Sequence, residues 1–126
     1  RRLEKWLDKA LELAGRAKQS PKKLYELLES EGKPVFWWDA HFTLLVPLAI
    51  LHFCDYNSLA AMHLTLDFGH DTDSYTQVLG CLAGAVEGSS IFPANMQEAV
   101  QSTLAEDYGE SLDAWLDLLQ KRAWKT

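Results

Sequence analysis

The run Phe68-Gly69-His70-Asp71-Thr72-Asp73-Ser74 gathers two carboxylates and two hydroxyls into four consecutive positions, Asp71 to Ser74. Oxygen donors of this kind suit a hard divalent cation such as Mg²⁺, Mn²⁺ or Ca²⁺, and not zinc, which prefers nitrogen and sulfur. Asp71 and Asp73 are two apart, so in extended backbone their side chains share a face. Ser74, on the first turn of a following helix, adds a third oxygen. The run is not an EF-hand. Counting from Asp71, Thr76 stands where that loop needs glycine and Leu82 where it needs glutamate. The same residues have a plainer use, because Asp71 or Thr72 can cap a helix whose N-terminus favours an anionic oxygen. Residue types and spacing leave both uses open. Behind the run, Gly80, Gly84 and Gly88 recur every four residues beside Ala83 and Ala85, a spacing that lets another helix pack backbone to backbone.

The elements that must position these residues are helical. Residues 2–18 place Leu3, Leu7, Ala10, Leu11, Ala14 and Ala17 at steps of three and four, with Trp6 widening the stripe. Ser20-Pro21 starts a second helix with Leu24, Leu27 and Leu28 inward, and Gly32 and Pro34 end it. Asp39 is expected to cap a third helix, about 40–53, apolar nearly all round, in which Pro47 predicts a kink or a break. Asn57-Ser58 starts a fourth, with Leu59, Met62, His63 and Leu66 on one side. A fifth runs from about Asp73 to Glu87, with Gly88 as its stop. Asn95 is expected to cap a sixth, through Ala99, Val100 and Leu104. Ser111 starts a seventh, with Leu112, Trp115, Leu116 and Leu119 inward. No segment alternates with period two and no Asn-Gly or Asp-Gly hairpin turn occurs. The expected fold is all-α, an orthogonal bundle of about seven helices, read as a single unit over 1–126. The Gly32–Trp38 loop is the best candidate for a boundary.

With 126 residues, 48% of them apolar, the chain has enough apolar surface to fold around a core without disulfides or a structural metal. Charge is unevenly spread. Residues 1–40 hold nine Lys/Arg and seven Asp/Glu, whereas residues 41–120 hold eleven Asp/Glu and no Lys or Arg. Nucleic-acid binding needs clustered cations, so a nucleic-acid partner is excluded and a cation is the natural guest of the central stretch. Cys54 and Cys81 sit among apolar neighbours and are expected as buried, reduced thiols, which suits the cytoplasm. The charged N-terminal segment has no secretory leader pattern. The longest apolar run, Phe42 to Phe53, is far short of the ~20 residues of a membrane span, so no membrane partner is expected.

Taken together, Gly69-His70-Asp71-Thr72-Asp73-Ser74, then Gly80, Gly84-Ala85 and Gly88, then Ile91-Phe92-Pro93, resemble the C-terminal signature of the ADP-ribosylglycohydrolase family. This family includes the dinitrogenase reductase-activating glycohydrolase and the ADP-ribosylhydrolases. Val46-Pro47-Leu48-Ala49, Asp55 and Leu59-Ala60-Ala61 resemble its approach to the loop, so the motif-bearing core is 42–93. The resemblance implies an all-α fold with a dinuclear Mg²⁺ centre (Mn²⁺ in some members). Asp71, Asp73 and Ser74 would be metal ligands, Asp71 and Asp73 would take part in catalysis, and His70 would be a possible substrate contact. The reaction implied is hydrolysis of the bond between ADP-ribose and an acceptor, on an ADP-ribosylated protein or a small ADP-ribose conjugate. His70 stands where the family usually has a second glycine, and Ser74 where threonine is commoner. The family's Gly-Asp pair, Thr-Asp-Asp type cluster and glycine-rich phosphate segment do not occur. The chain therefore resembles the C-terminal part of a longer enzyme, whether a cleaved piece, one half of a split protein that a companion N-terminal polypeptide would complete, or a reduced relative.

The same residues admit other readings. His70-Asp71 is also the dipeptide of HD-type metal phosphohydrolases, with His41 upstream and Asp107 downstream. That reading leaves Asp73, Ser74 and the glycines without roles. His41, His52 and His63 are spaced by eleven and read as hydrogen-bonded core or boundary histidines along one seam. Trp37-Trp38 reads as packing beneath a loop in preference to a nucleobase platform. A non-catalytic helical interaction module on the same scaffold is the remaining alternative.

Overall fold

The computed structural model describes residues 2–32 and 35–123. Among these residues seven α-helices follow one another with no strand, as an all-α fold requires. They are α1 (Arg2–Arg16), α2 (Pro21–Glu31), α3 (Ala40–Phe53), α4 (Ser58–Phe68), α5 (Thr72–Glu87), α6 (Ala94–Tyr108) and α7 (Leu112–Ala123), with a short 3₁₀ turn at Ser89–Ile91. The chain divides into two compact units, residues 1–91 and 92–126. The Gly32–Trp38 loop lies inside the first.

In the first unit α3 is the central element. It contacts α1, α4 and α5, while α4 and α5 pack on each other. Its all-round apolar sequence makes this possible, since Phe42, Leu45, Val46, Ala49 and Ile50 are all fully buried. Leu13, Leu24, Leu28, Tyr75 and Leu79 close the core from the other helices. Pro47 does not divide α3, which runs through it to Phe53. Apolar contact on every side outweighs the hydrogen bond that the proline removes.

Local signals set the helix starts, though not always through the residue expected. Ser20 accepts from the Lys23 amide at 3.3 Å and Asn57 from the Ala60 amide at 2.9 Å, both as N-caps. Asp39 occupies the N-cap position of α3 without capping it. Its carboxylate turns back and accepts from the Val35 and Phe36 amides at 3.1 and 3.3 Å, tying the preceding loop instead. The N-cap position of α6 is Pro93, and Asn95 falls inside the first turn.

Three inward faces differ from expectation. On α4 the buried residues are Ser58, Ala61, Thr65 and Phe68, and Leu66 is exposed. The Thr65 hydroxyl is satisfied by the Ala61 carbonyl at 2.8 Å, so this small-residue face can approach its neighbours closely. On α5 the buried positions Tyr75, Leu79 and Ala83 turn Cys81 to solvent. Of the two thiols only Cys54 is partly buried, and burial pushes it above the ordinary thiol range, with the Asp55 charge adding to this. In the second unit Ala99, Val100, Leu112, Trp115, Leu116 and Leu119 are exposed and Leu104 is partly covered. Two helices alone have too little chain to enclose an apolar stripe.

An ion-pair network joins the C-terminal ends of α1 and α2. Arg16 meets Glu31 through two bonds of 2.7 and 2.5 Å, and Lys9 meets it at 3.1 Å. Arg16 first, then Lys9, holds the Glu31 carboxyl down to about 2. A depressed carboxylate pKa stabilises the fold above its ordinary value of 4.5, and this is lost as pH falls to about 2. Glu31→Gln is therefore expected to lower the melting temperature slightly at pH 7, because exposed pairs contribute little. The difference from the wild type should close between pH 4.5 and about 2, and shrink with added salt. Thermal melts across pH check this. A difference that persists at pH 2 would show that the side chain acts through packing and not through charge.

Candidate metal centre

The residues Gly69–Asp71 link α4 to α5 on a backbone that most side chains avoid. Gly69 has φ +81° and ψ −148°, a conformation open to glycine alone. His70 has φ +60°, left-handed, which costs a residue with a Cβ about 1 kcal/mol or more. Side-chain contacts offset that cost. The His70 ring lies flat on Trp37, with centroids 3.5 Å apart and planes 12° apart, and meets Phe68 edge-on at 5.0 Å. Its Nε2 lies 3.0 Å from Glu29 Oε1.

Trp37 is held in turn. Its carbonyl accepts the Tyr75 hydroxyl at 2.5 Å, and its ring packs against Phe42. Tyr75 is fully buried, so burial first, then the Asp71 charge, pushes its hydroxyl far above the ordinary tyrosine range. The hydroxyl stays protonated and donates at any physiological pH.

Asp71 occupies the N-cap position of α5. Its carbonyl accepts from the Tyr75 amide at 3.1 Å, but its carboxylate makes no capping bond. Oδ2 is shut from solvent and has no hydrogen-bond partner among the described residues. A buried oxygen in that state is costly unless something satisfies it. A divalent cation would do so, and carboxylate and hydroxyl oxygens are the donors such an ion takes. Asp73 is exposed on the first turn of α5 and Ser74 is half-buried beside it. The Thr76 hydroxyl fastens that turn by donating to the Thr72 carbonyl at 2.6 Å and the Asp73 carbonyl at 3.2 Å. Among the described residues no group of three or more His, Cys, Asp or Glu converges to hold a metal. Asp71, Asp73 and Ser74 have in common that they stand at the start of α5, and a hard cation held there would need water or other ligands to complete its shell.

Other candidates fall elsewhere. His41 stacks on Trp6 at 4.4 Å, the His52 Nδ1 lies 3.0 Å from the Tyr56 hydroxyl, and His63 is exposed. The first two are boundary histidines, and the three do not share a seam. The tryptophan pair divides. Trp37 packs beneath the loop, while Trp38 stacks on Phe36 at 5.2 Å and is 65% exposed. The glycine ladder lacks the expected close helix partner. A Cβ at Gly84 or Gly88 would meet nothing within 4 Å, and one at Gly80 only Met62 at 3.9 Å. A cleft of about 220 Å³ bordered by Lys18, Gln19, His52 and Asp55 includes none of Asp71, Asp73 or Ser74. The braces of the loop, Glu29, Trp37 and Tyr75, escape the sequence pattern because they come from three separate elements and share no local spacing.

Compared with known proteins, residues 1–125 match the family model described as ADP-ribosylglycohydrolase. The match begins with α1, well before the motif-bearing stretch 42–93. No curated protein and no solved structure matches the chain.

Proposed function

Because the chain belongs to the ADP-ribosylglycohydrolase family, we propose that it supplies the Asp71–Ser74 metal loop of a hydrolase. The enzyme would cleave the N- or O-glycosidic bond between ADP-ribose and an acceptor. The observation that supports this reading is the buried Oδ2 of Asp71, which has no hydrogen-bond partner among the described residues. Asp71, Asp73 and Ser74 would hold Mg²⁺, or Mn²⁺ in its place. When bound, the metal pair would orient the ribose hydroxyls, activate water and stabilise developing charge. The chain's own part is to fix these oxygens: α5 presents Asp73 and Ser74 on one turn, and the braced loop sets Asp71 ahead of them. Water adds to the ADP-ribose C1″ carbon, the bond from C1″ to the acceptor breaks, and the acceptor leaves with a proton.

Three donors from one loop do not fill a dinuclear site. The acidic ligands still needed would come from a companion polypeptide segment, and substrate would be an ADP-ribosylated protein or a small conjugate. The test is release of free ADP-ribose from arginine- and serine-linked ADP-ribosyl peptides. It uses the protein isolated from its own cells with whatever polypeptide accompanies it, with Mg²⁺ and then with EDTA. Release that EDTA stops and Mg²⁺ restores is the expected result. No release, together with no Mn²⁺ binding by equilibrium dialysis, would leave the non-catalytic interaction module. In that module Asp71→Ala and Asp73→Ala would leave partner capture intact. The HD-type alternative gains nothing from the family match, and it needs as a ligand His70, which is occupied by Trp37 and Glu29.

A further inference from the structure

We infer that Trp37 is a positioning residue for the Asp71 carboxylate, acting through His70. This inference rests on Asp71 being a metal ligand. The peptide that leads into Asp71 carries His70 at φ +60°, a conformation that a side chain does not hold by itself. The Trp37 ring, stacked at 3.5 Å and nearly parallel, braces it beside the Phe68 ring and the Glu29 carboxylate. Trp37 belongs to the loop before α3, far from His70 in sequence. It is fixed from two sides, by the buried Tyr75 hydroxyl on its carbonyl and by the Asp39 carboxylate, which ties the Val35 and Phe36 amides just before it. Tyr75 is also the residue whose amide binds the Asp71 carbonyl. One residue of α5 therefore ties both the loop that carries Asp71 and the tryptophan that braces it. The arrangement replaces the freedom of a glycine at position 70 with a side-chain clamp, and the direction of the Asp71 carboxylate depends on that clamp.

The probe is Mn²⁺, with its free concentration followed by electron paramagnetic resonance during titration of the protein isolated with whatever polypeptide accompanies it. Trp37→Ala is expected to weaken Mn²⁺ binding about tenfold or more, the usual effect of losing a residue that orients a ligand. Trp37→Phe, which keeps a ring to stack, should stay within about threefold of the wild type. Adding His70→Gly to Trp37→Ala should recover most of the affinity, because glycine adopts the left-handed backbone without a clamp. Recovery is the decisive readout, since a merely structural loss at Trp37 would not be repaired by removing a second side chain. Should Trp37→Ala fail to fold, Tyr75→Phe keeps every ring in place and removes only the hydroxyl on the Trp37 carbonyl. It should still weaken Mn²⁺ by a few fold with little change in melting temperature. Wild-type affinity in Trp37→Ala or in Tyr75→Phe, or no recovery in the double variant, overturns the inference while Asp71 remains a ligand. No Mn²⁺ binding by the wild type overturns the ligand reading, and this inference with it.

Discussion

Asp71→Asn is expected to weaken Mn²⁺ or Mg²⁺ binding by about 100-fold or more while leaving the metal-free fold as stable as the wild type or slightly more so. The two effects have one source. Asp71 Oδ2 is buried with no hydrogen-bond partner, and the carboxylate makes no capping bond to α5. Without metal the fold therefore carries the cost of a desolvated carboxylate oxygen and gains no capping bond from it. Asparagine keeps the size and shape but removes the charge. It relieves that cost and at the same moment deletes the anionic donor that a hard cation requires. Asp73 is exposed, where water screens its charge, so Asp73→Asn should cost less, about tenfold. Calorimetric titration with Mn²⁺ and thermal melts in EDTA measure the two halves separately. If Asp71→Asn bound Mn²⁺ normally, Asp71 would not be a ligand, and a loss of about 1 kcal/mol in Asp71→Ala but not in Asp71→Asn would make it a helix cap and nothing more.

Much of this architecture was legible in the chain because the deciding signals are local. Ser20-Pro21 and Asn57-Ser58 start helices through contacts three residues away, and α3 is central because no polar face competes for its orientation. Signals failed where two local answers were equally good. Helix α4 carries Leu59, Met62 and Leu66 on one face and Ala61, Thr65 and Phe68 on another. Periodicity says which residues share a face, not which face a neighbour will cover. Close approach to α3 and α5 favoured the small-residue face and left Leu66 outside. Asp39 is acidic at a helix start, but two loop amides compete successfully for its oxygen. The candidate site divides in the same way. The Asp71–Ser74 oxygens are contiguous and visible as a motif. The clamp on them joins positions 29, 37, 70 and 75, which lie on α2, the loop before α3, the α4–α5 link and α5 and meet only in the folded chain.

That packing centres on Phe42, whose truncation to alanine is expected to be the most damaging single change to the fold. Phe42 is fully buried and meets Trp37 at 5.8 Å, Tyr75 at 6.0 Å and Phe68 at 6.4 Å between ring centres. Gly32 lies so close that a Cβ built on it would come within 2.5 Å of the Phe42 ring, so the site has no slack before truncation. Loss of a buried phenylalanine costs about 3–5 kcal/mol, a large share of the roughly 5–15 kcal/mol that holds a domain together. The melting temperature of the first unit should fall by about 15 °C or more. Phe42→Leu, which refills part of the space, should cost less than half as much. Unlike Asp71→Asn, Phe42→Ala should lower metal affinity and stability together, because the rings it releases are those that hold Trp37 and Tyr75 in place. Circular dichroism melts with Mn²⁺ titrations below the new transition would show the coupling. A loss under about 1 kcal/mol would mean that these aromatic rings do not form one core, and the route from core to carboxylate would fail with it.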